Sequence, residues 1–391
     1  MAKKKITKSK IKKKIKKEFE GLSPLTKRII AVVAFLVIAG FIVLCYLRPD
    51  FYQKLLNLFT PKQDNFVTSV EGDDVYVAKL QDLQIHFVDV GQGDSIVISL
   101  PDNTTMLIDA YNDANLLDYL KNTLKLTTID YLIATHSDED HIDAMDVVFN
   151  NFQVKKVFRP YIKYNKDNAF SSDFNQGSIN ANTDVYKYFL TLLSEETYVD
   201  GNETKPCEWE FFNYNSDFSK NIHYNNEVYT FTFDFLTPTV QVEDIKYGDK
   251  NSYSPIIKFS YMGTDVLFTG DAEHDTLDEF LGKYVSESDK QYLDVDVLKL
   301  GHHGSKTSTT KPFLDLVKPE YAIASCGVGN SYGHPHQEVL DLLVGSVTLY
   351  RTDLNGNIVL NVTPTDFTFN LENSQYFENM YDAPILNPLK N

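Results

Sequence analysis

His136-Ser137-Asp138-Glu139-Asp140-His141 decides how this chain is read. Two histidines and two alternating aspartates follow the apolar run Tyr131-Leu132-Ile133-Ala134, which has the pattern of a buried strand. A strand that ends in such a cluster aims several metal ligands at one point. The competing structural reading is a solvated turn in which Asp140 caps a helix. The rest of the chain decides between the two.

Outward from the cluster, strand patterns alternate with helix patterns from about residue 80 onward. Apolar alternation predicts strands on both sides of the cluster. The spacing of Leu116, Leu117, Leu120 and Leu124 predicts a helix over 112–124. Residues 163–225 are polar and Asn-rich, with helical spacing only near 185–193, and read as an insertion. Many strands mixed with amphipathic helices predict an α/β sandwich, two sheets face to face with helices outside.

Ligand-type residues recur at the predicted strand ends. Of nine histidines, His136, His141, His302, His303 and His334 stand at or just past strand ends or in loops. His86, His274 and His336 read as structural or surface residues. Asp271 ends the run Phe268-Thr269-Gly270, where its two oxygens suit bridging two cations or, alternatively, capping a helix. In Asp89-Val90-Gly91-Gln92-Gly93-Asp94 the glycines make a turn, with Asp89 or Asp94 directed at the site. Imidazole suits Zn, Mn or Fe, and carboxylate shifts the preference toward harder ions. His302 and His303 are adjacent, so on an extended segment their side chains face opposite ways and at least one either supports a ligand from behind or is structural. Ser305, Lys306 and Thr307 form either a phosphate cradle or an ordinary loop.

Charge is divided along the chain. Residues 1–28 hold 12 Lys/Arg against 2 Glu, so within a net charge of −17 the remainder carries 25 basic against 52 acidic residues, or −27. An acidic body repels long polyanions unless a local cation offsets it. Cys45, Cys207 and Cys326 form no C-x-x-C pattern, which excludes a zinc thiolate or redox motif of that kind. Residues 29–47 are 19 uncharged, mostly large apolar residues. As a helix they would span ~28 Å, close to the hydrocarbon thickness. Ten lysines in residues 3–17 precede them, which places the N-terminus in the cytoplasm and the body outside. A cleaved signal peptide is the alternative, but no small-x-small site follows. The expected organisation is a Lys-rich cytoplasmic tail (1–28), a single-pass membrane anchor (29–47), a stalk (48–79), a hydrolase domain (80–372) and a C-terminal tail (373–391).

The six-residue cluster resembles the H-x-H-x-D-H motif of the metallo-β-lactamase superfamily, with Asp138 in place of the second histidine. Phe87-Val88-Asp89-Val90-Gly91-Gln92-Gly93-Asp94-Ser95, Thr269-Gly270-Asp271, Gly301-His302-His303-Gly304-Ser305 and Tyr332-Gly333-His334-Pro335 resemble the hydrolase domain of the ComEC family of DNA-uptake channel proteins. Where that family has a multi-spanning channel, a single membrane helix is expected in this sequence. The resemblance implies a four-layer αββα sandwich holding two divalent metal ions, Zn or Mn. It implies His136 and Asp138 on the first ion, Asp140 and His141 on the second, and Asp271 bridging. One of His302 and His303 completes a metal shell, with His303 favoured. Asp140, His302 and His334 are the catalytic candidates, His334 binding a substrate phosphate or protonating the leaving group. Ser305, Lys306 and Asn330 are the substrate-binding candidates. The superfamily's third-motif histidine has no clear counterpart; only His223 lies between 150 and 250, and Asn251 or a water would fill that place. Asp138 makes the site richer in oxygen, which favours Mn or a mixed pair and phosphoryl over lactam chemistry. The expected activity is phosphodiester hydrolysis, with nucleic acid as the substrate class. Alternatives are cell-wall phosphodiesters, lipid head groups, a lactam or lactone, or a non-catalytic accessory role in an uptake or export machine.

Overall fold

The computed structural model describes residues 83–164, 169–224, 227–363, 365–374 and 381. The expected anchor and stalk lie outside these residues, as does most of the tail after 372. Among the described residues no helix is long and apolar enough to cross a membrane.

Period-two alternation builds two sheets whose faces are sorted residue by residue. In strand β1 (Leu83–Phe87) and β2 (Ile96–Ser99), Ile85, Phe87, Ile96 and Ile98 enter the core between the sheets, while Val97 joins the helix-facing core. Strands β3 (Thr105–Ile108), β4 (Thr128–Ile133) and β5 (Gln153–Arg159) run parallel beside them.

The insertion adds two short ribbons, β6 (Ile162–Lys163) with β7 (Ile179–Asn180) and β8 (Thr197–Asp200) with β9 (Glu203–Pro206). Between them lies the helix Asp184–Glu195, longer than its apolar spacing predicts. Strand β10 (Glu208–Phe211) then pairs with β5 at the sheet edge. There Trp209, Phe174 and Phe211 surround the fully buried guanidinium of Arg159, with ring centroids 4.4–4.8 Å away. The single tryptophan therefore ties the insertion to the sheet.

The second sheet holds β11 (Phe218–Tyr224), β12 (Glu227–Phe235), β13 (Ile257–Tyr261), β14 (Thr264–Phe268), β15 (Val297–Lys299), β16 (Tyr321–Ala324) and β17 (Thr348–Arg351), in that order. The last two strands, β18 (Ile358–Val362) and β19 (Phe367–Leu371), return to the first sheet, whose order is β10-β5-β4-β3-β2-β1-β18-β19. Val266 and Phe268 join Phe87, Phe158, Phe231, Phe233 and Phe259 between the sheets. Burying each such ring contributes ~1.5–3 kcal/mol. Leu267 and Leu298 face the other way, onto Leu277, Phe280, Phe313 and Leu340 of the outer helices. Leu107 and Leu132 face Met145, Val148 and Phe189 on the opposite outside. Three apolar layers separate helix, sheet, sheet and helix, as the αββα reading expects.

Candidate metal centre

The parallel strands of both sheets deliver their C-terminal ends to one place. Asp109 follows β3, His136 follows β4, Asp271 follows β14, His302 and His303 follow β15, and Ser325 follows β16. Loops at one end of a rigid sandwich are where sites are built.

Asp271 is the centre of the arrangement. It is 2% exposed, and its two oxygens face different histidines. Oδ1 lies 3.1 Å from His141 Nε2. Oδ2 lies 3.9 Å from His136 Nε2, 3.6 Å from His302 Nε2 and 3.7 Å from His303 Nε2. The helix that follows begins at His274, so Asp271 does not cap it. Asp140 also caps nothing; it sits inside the short helix Glu139–Ile142 and reaches His303 Nε2 at 3.2 Å.

Each ring is held from behind. Asp109, at φ +59°, accepts from the Thr135 amide and hydroxyl at 2.8 Å each, and meets His141 Nδ1 at 2.7 Å. A carboxylate on one ring nitrogen orients the other toward a metal. Ser254 Oγ accepts from the Asp271 amide at 3.0 Å and lies 3.2 Å from His136 Nδ1. His303 Nδ1 donates to the Ser325 carbonyl at 2.9 Å, and Asp94 Oδ1 lies 3.5 Å away. Asp94, not the half-exposed Asp89, is the inward carboxylate of the glycine turn, and it pairs with the buried Lys299 at 2.7 Å.

His302 and His303 depart from the expectation of opposite faces. Both lie in the left-handed region, at φ +46° and +57°, in a tight turn between Gly301 and Gly304. The turn brings both rings onto Asp271. Left-handed backbone at adjacent non-glycine residues is strained and persists where the surroundings enforce it. A Cβ at Gly304 would sit 2.7 Å from Pro335 Cβ, so the packing against Pro335 requires glycine there. Glu273, silent in the sequence, holds His302 Nδ1 at 2.7 Å. Asn251 lies against the same ring, its Nδ2 3.5 Å from Nδ1. His223 stands on the edge strand β11.

Other site candidates have different surroundings. Asp138 is 30% exposed and pairs with Lys250. Lys306 is exposed and pairs with Glu338, and Ser305 bonds Thr307. The Asn330 amide donates to the Gly327 and His334 carbonyls and its Oδ1 accepts from the His334 amide, so it shapes the loop rather than facing a ligand. His334 is buried beside the centre, its ring 5.2 Å from His302 and 6.1 Å from His303. His86 bonds the Tyr119 hydroxyl away from the site, as a structural histidine does.

The electrostatics match the geometry. Burial alone would lower the His141 pKa, but Asp271 and Asp109 hold it well above the usual value. His303 is likewise disfavoured by burial yet raised to about 9, chiefly by Asp271. Burial would raise Asp271, but His141 and His303 hold it well below the carboxylate range. Burial, then the neighbouring His302 and His303, lower His334 to about 3, so it is neutral at pH 7.

These residues fit a divalent ion. His136 Nε2, His141 Nε2 and Asp271 Oδ1 are buried and make no hydrogen bond. Ligand atoms of Asp140, His141, Asp271 and His303 lie within 4.8 Å of one another. Those four would hold one ion. His136, with Asp271 shared, faces a second position. Asp109 is outside both sets yet fixes His141. Asp109→Asn is expected to weaken metal affinity about 10- to 100-fold, read by titrating the metal-free protein.

The family described as the metallo-beta-lactamase superfamily matches residues 88–328. The chain belongs to that superfamily. Among its curated relatives are competence proteins of the ComEC type, as the motifs indicate. It is 26% identical to ComE operon protein 3 of Bacillus subtilis (strain 168) over 308 residues, covering 73% of this chain and 34% of that protein. It is 38% identical to competence protein ComA of Neisseria gonorrhoeae over 125 residues, covering 32% of this chain and 17% of that protein. The chain thus spans about a third or less of the length of these relatives. A diphosphatase of the PhnP family aligns with 68% of this chain and 94% of its own at 14% identity and a TM-score of 0.35. As a member of the superfamily the chain is a metal-dependent hydrolase by fold, with donors for divalent metal in place.

Proposed function

We propose that this protein is a membrane-anchored phosphodiesterase that cleaves nucleic acid outside the cytoplasm, using two divalent ions. The observation that carries the reading is the set of four imidazoles around Asp271 with the Asp140 carboxylate against His303; Asp138, paired with Lys250, is read as a further oxygen donor beside His136. This oxygen-rich surround suits Mn or a mixed pair and phosphoryl chemistry. Bound there, divalent ions supply positive charge to phosphoryl oxygens and make water acidic enough to attack near neutral pH. Asp271 holds His136, His141, His302 and His303 in one constellation. Asp140 sits on the solvent side of that group, where it can hold the attacking water. His334, neutral at pH 7, accepts a hydrogen bond or donates one to a phosphate oxygen, which favours substrate binding over proton donation. The ComEC-type relatives support nucleic acid as the substrate. Residues 29–47 anchor the chain, with the lysine tail in the cytoplasm.

The −27 charge of the body favours a second substrate class, a small or local phosphodiester such as a cell-wall linkage or lipid head group. Metal-loaded full chain is offered single-stranded DNA, a bis-aryl phosphodiester, a glycerophosphodiester and a chromogenic lactam. Cleavage of DNA and the aryl diester, lost on chelation, is the expected result. Turnover of the lactam alone would overturn the reading, and turnover of the glycerophosphodiester in preference to DNA would install the second class.

A further inference from the structure

The two halves of the centre are not equivalent. Asp140, His141, Asp271 and His303 face one another with no lysine among them. On the His136 side, the carboxylate nearest in sequence, Asp138, already carries a cation, because Lys250 Nζ bonds its Oδ1.

Lys250 is placed there by a fixed turn. The Asp249 carboxylate accepts from the Ser252 amide and hydroxyl at 2.8 Å each. That closes the turn Asn251–Tyr253, which Lys250 enters. Tyr253 is buried and bonds Ser178, and the Ser252 carbonyl accepts from Thr276. One residue further, Ser254 holds both His136 and the Asp271 amide. The segment that sets two groups of the centre therefore also projects the ammonium onto Asp138. A histidine in place of Asp138 would give that ammonium no anionic partner.

We infer that Lys250 is a built-in competitor for the second metal ion: its ammonium occupies Asp138 until that ion displaces it, so the two ions load in order and with unequal affinity. This rests on the two-ion reading above. A divalent ion at Asp138 must break the ion pair and accept a monovalent cation as a near neighbour, and both effects weaken its binding relative to the first.

The test is calorimetric titration of MnCl2 into the metal-free full chain in detergent, for the wild type, K250M, K250A and K250R. Lys250 is one-third exposed, so its replacement leaves the core intact, and a thermal melt of each variant checks this. The wild type is expected to bind one Mn tightly and a second more weakly. K250M and K250A narrow that gap roughly tenfold by strengthening the second step, and K250R preserves it. Two equal steps in the wild type, or a second step unmoved by both K250M and K250A, would overturn the inference. The readout is binding alone. A chain that titrates as expected but cleaves no phosphodiester refutes the proposed activity and leaves Lys250 in its role.

Discussion

Asp271→Asn is expected to lower kcat/KM for a phosphodiester by roughly 1000-fold or more, with loss of bound metal. The metal contribution to transition-state charge is several kcal/mol, at tenfold per ~1.4 kcal/mol. The magnitude follows from what meets at this residue. Asp271 Oδ1 faces His141, and Oδ2 faces His136, His302 and His303. Asparagine keeps the shape and the amide that donates to Ser254, but it removes the anionic charge shared by four imidazoles. In the metal-free protein that charge also raises the His141 and His303 pKa values, so the metal-free variant should hold fewer protons at neutral pH than the metal-free wild type. Steady-state kinetics with elemental analysis of the same sample checks the loss of activity and of metal. Retained activity with full metal content would show that the ions do not depend on Asp271.

The second large effect concerns stability. Lys299 is 0% exposed and Asp94 2% exposed, and their charged groups lie 2.7 Å apart behind His303. Removing one partner of a buried pair leaves the other charge without compensation and costs ~3–5 kcal/mol. Lys299→Met is therefore expected to lower Tm by roughly 6–15 °C, read by calorimetry. Burial would raise the Asp94 carboxyl, but Lys299 holds it well below the usual range. The folded pKa is depressed, so the stabilisation is present above the ordinary carboxylate pKa and lost only as pH falls through the folded value. Without Lys299 the strongest of the groups that lower it is gone, leaving only the weaker pull of His303 and His141. The deficit of Lys299→Met should then shrink in mild acid, where the buried Asp94 takes up a proton. The double variant with Asp94→Asn should recover part of the loss, since both charges are then gone. A single variant as stable as the wild type would show that the pair is not what holds this corner of the sandwich.

The fold was legible because alternation reports which face a residue takes. Ile96 and Ile98 against Val97, or Val266 and Phe268 against Leu267, already separate the inner core from the outer one. The ribbons of the insertion were less legible because Thr197–Asp200 and Glu203–Pro206 are largely polar and mostly exposed, with no apolar period to find. In the site, residue type at strand ends marked His136, Asp140, His141, Asp271 and His303. Asp109 gave no signal, since a carboxylate ending a strand has no visible partner until folding brings His141 to it from 32 residues away. Glu273, Lys299 and Lys250 were silent for the same reason. His302 and His303 needed the backbone itself, because the expectation of opposite faces assumes an extended segment and the left-handed turn removes it.

The most direct test is the metal content of the full chain, purified without chelator and measured by elemental mass spectrometry beside Asp271→Asn. At least one Zn or Mn per wild-type chain, lost in the variant, is the predicted result. A wild-type chain free of transition metal, and still free after incubation with Zn and Mn, would contradict a metal centre at Asp140, His141, Asp271 and His303.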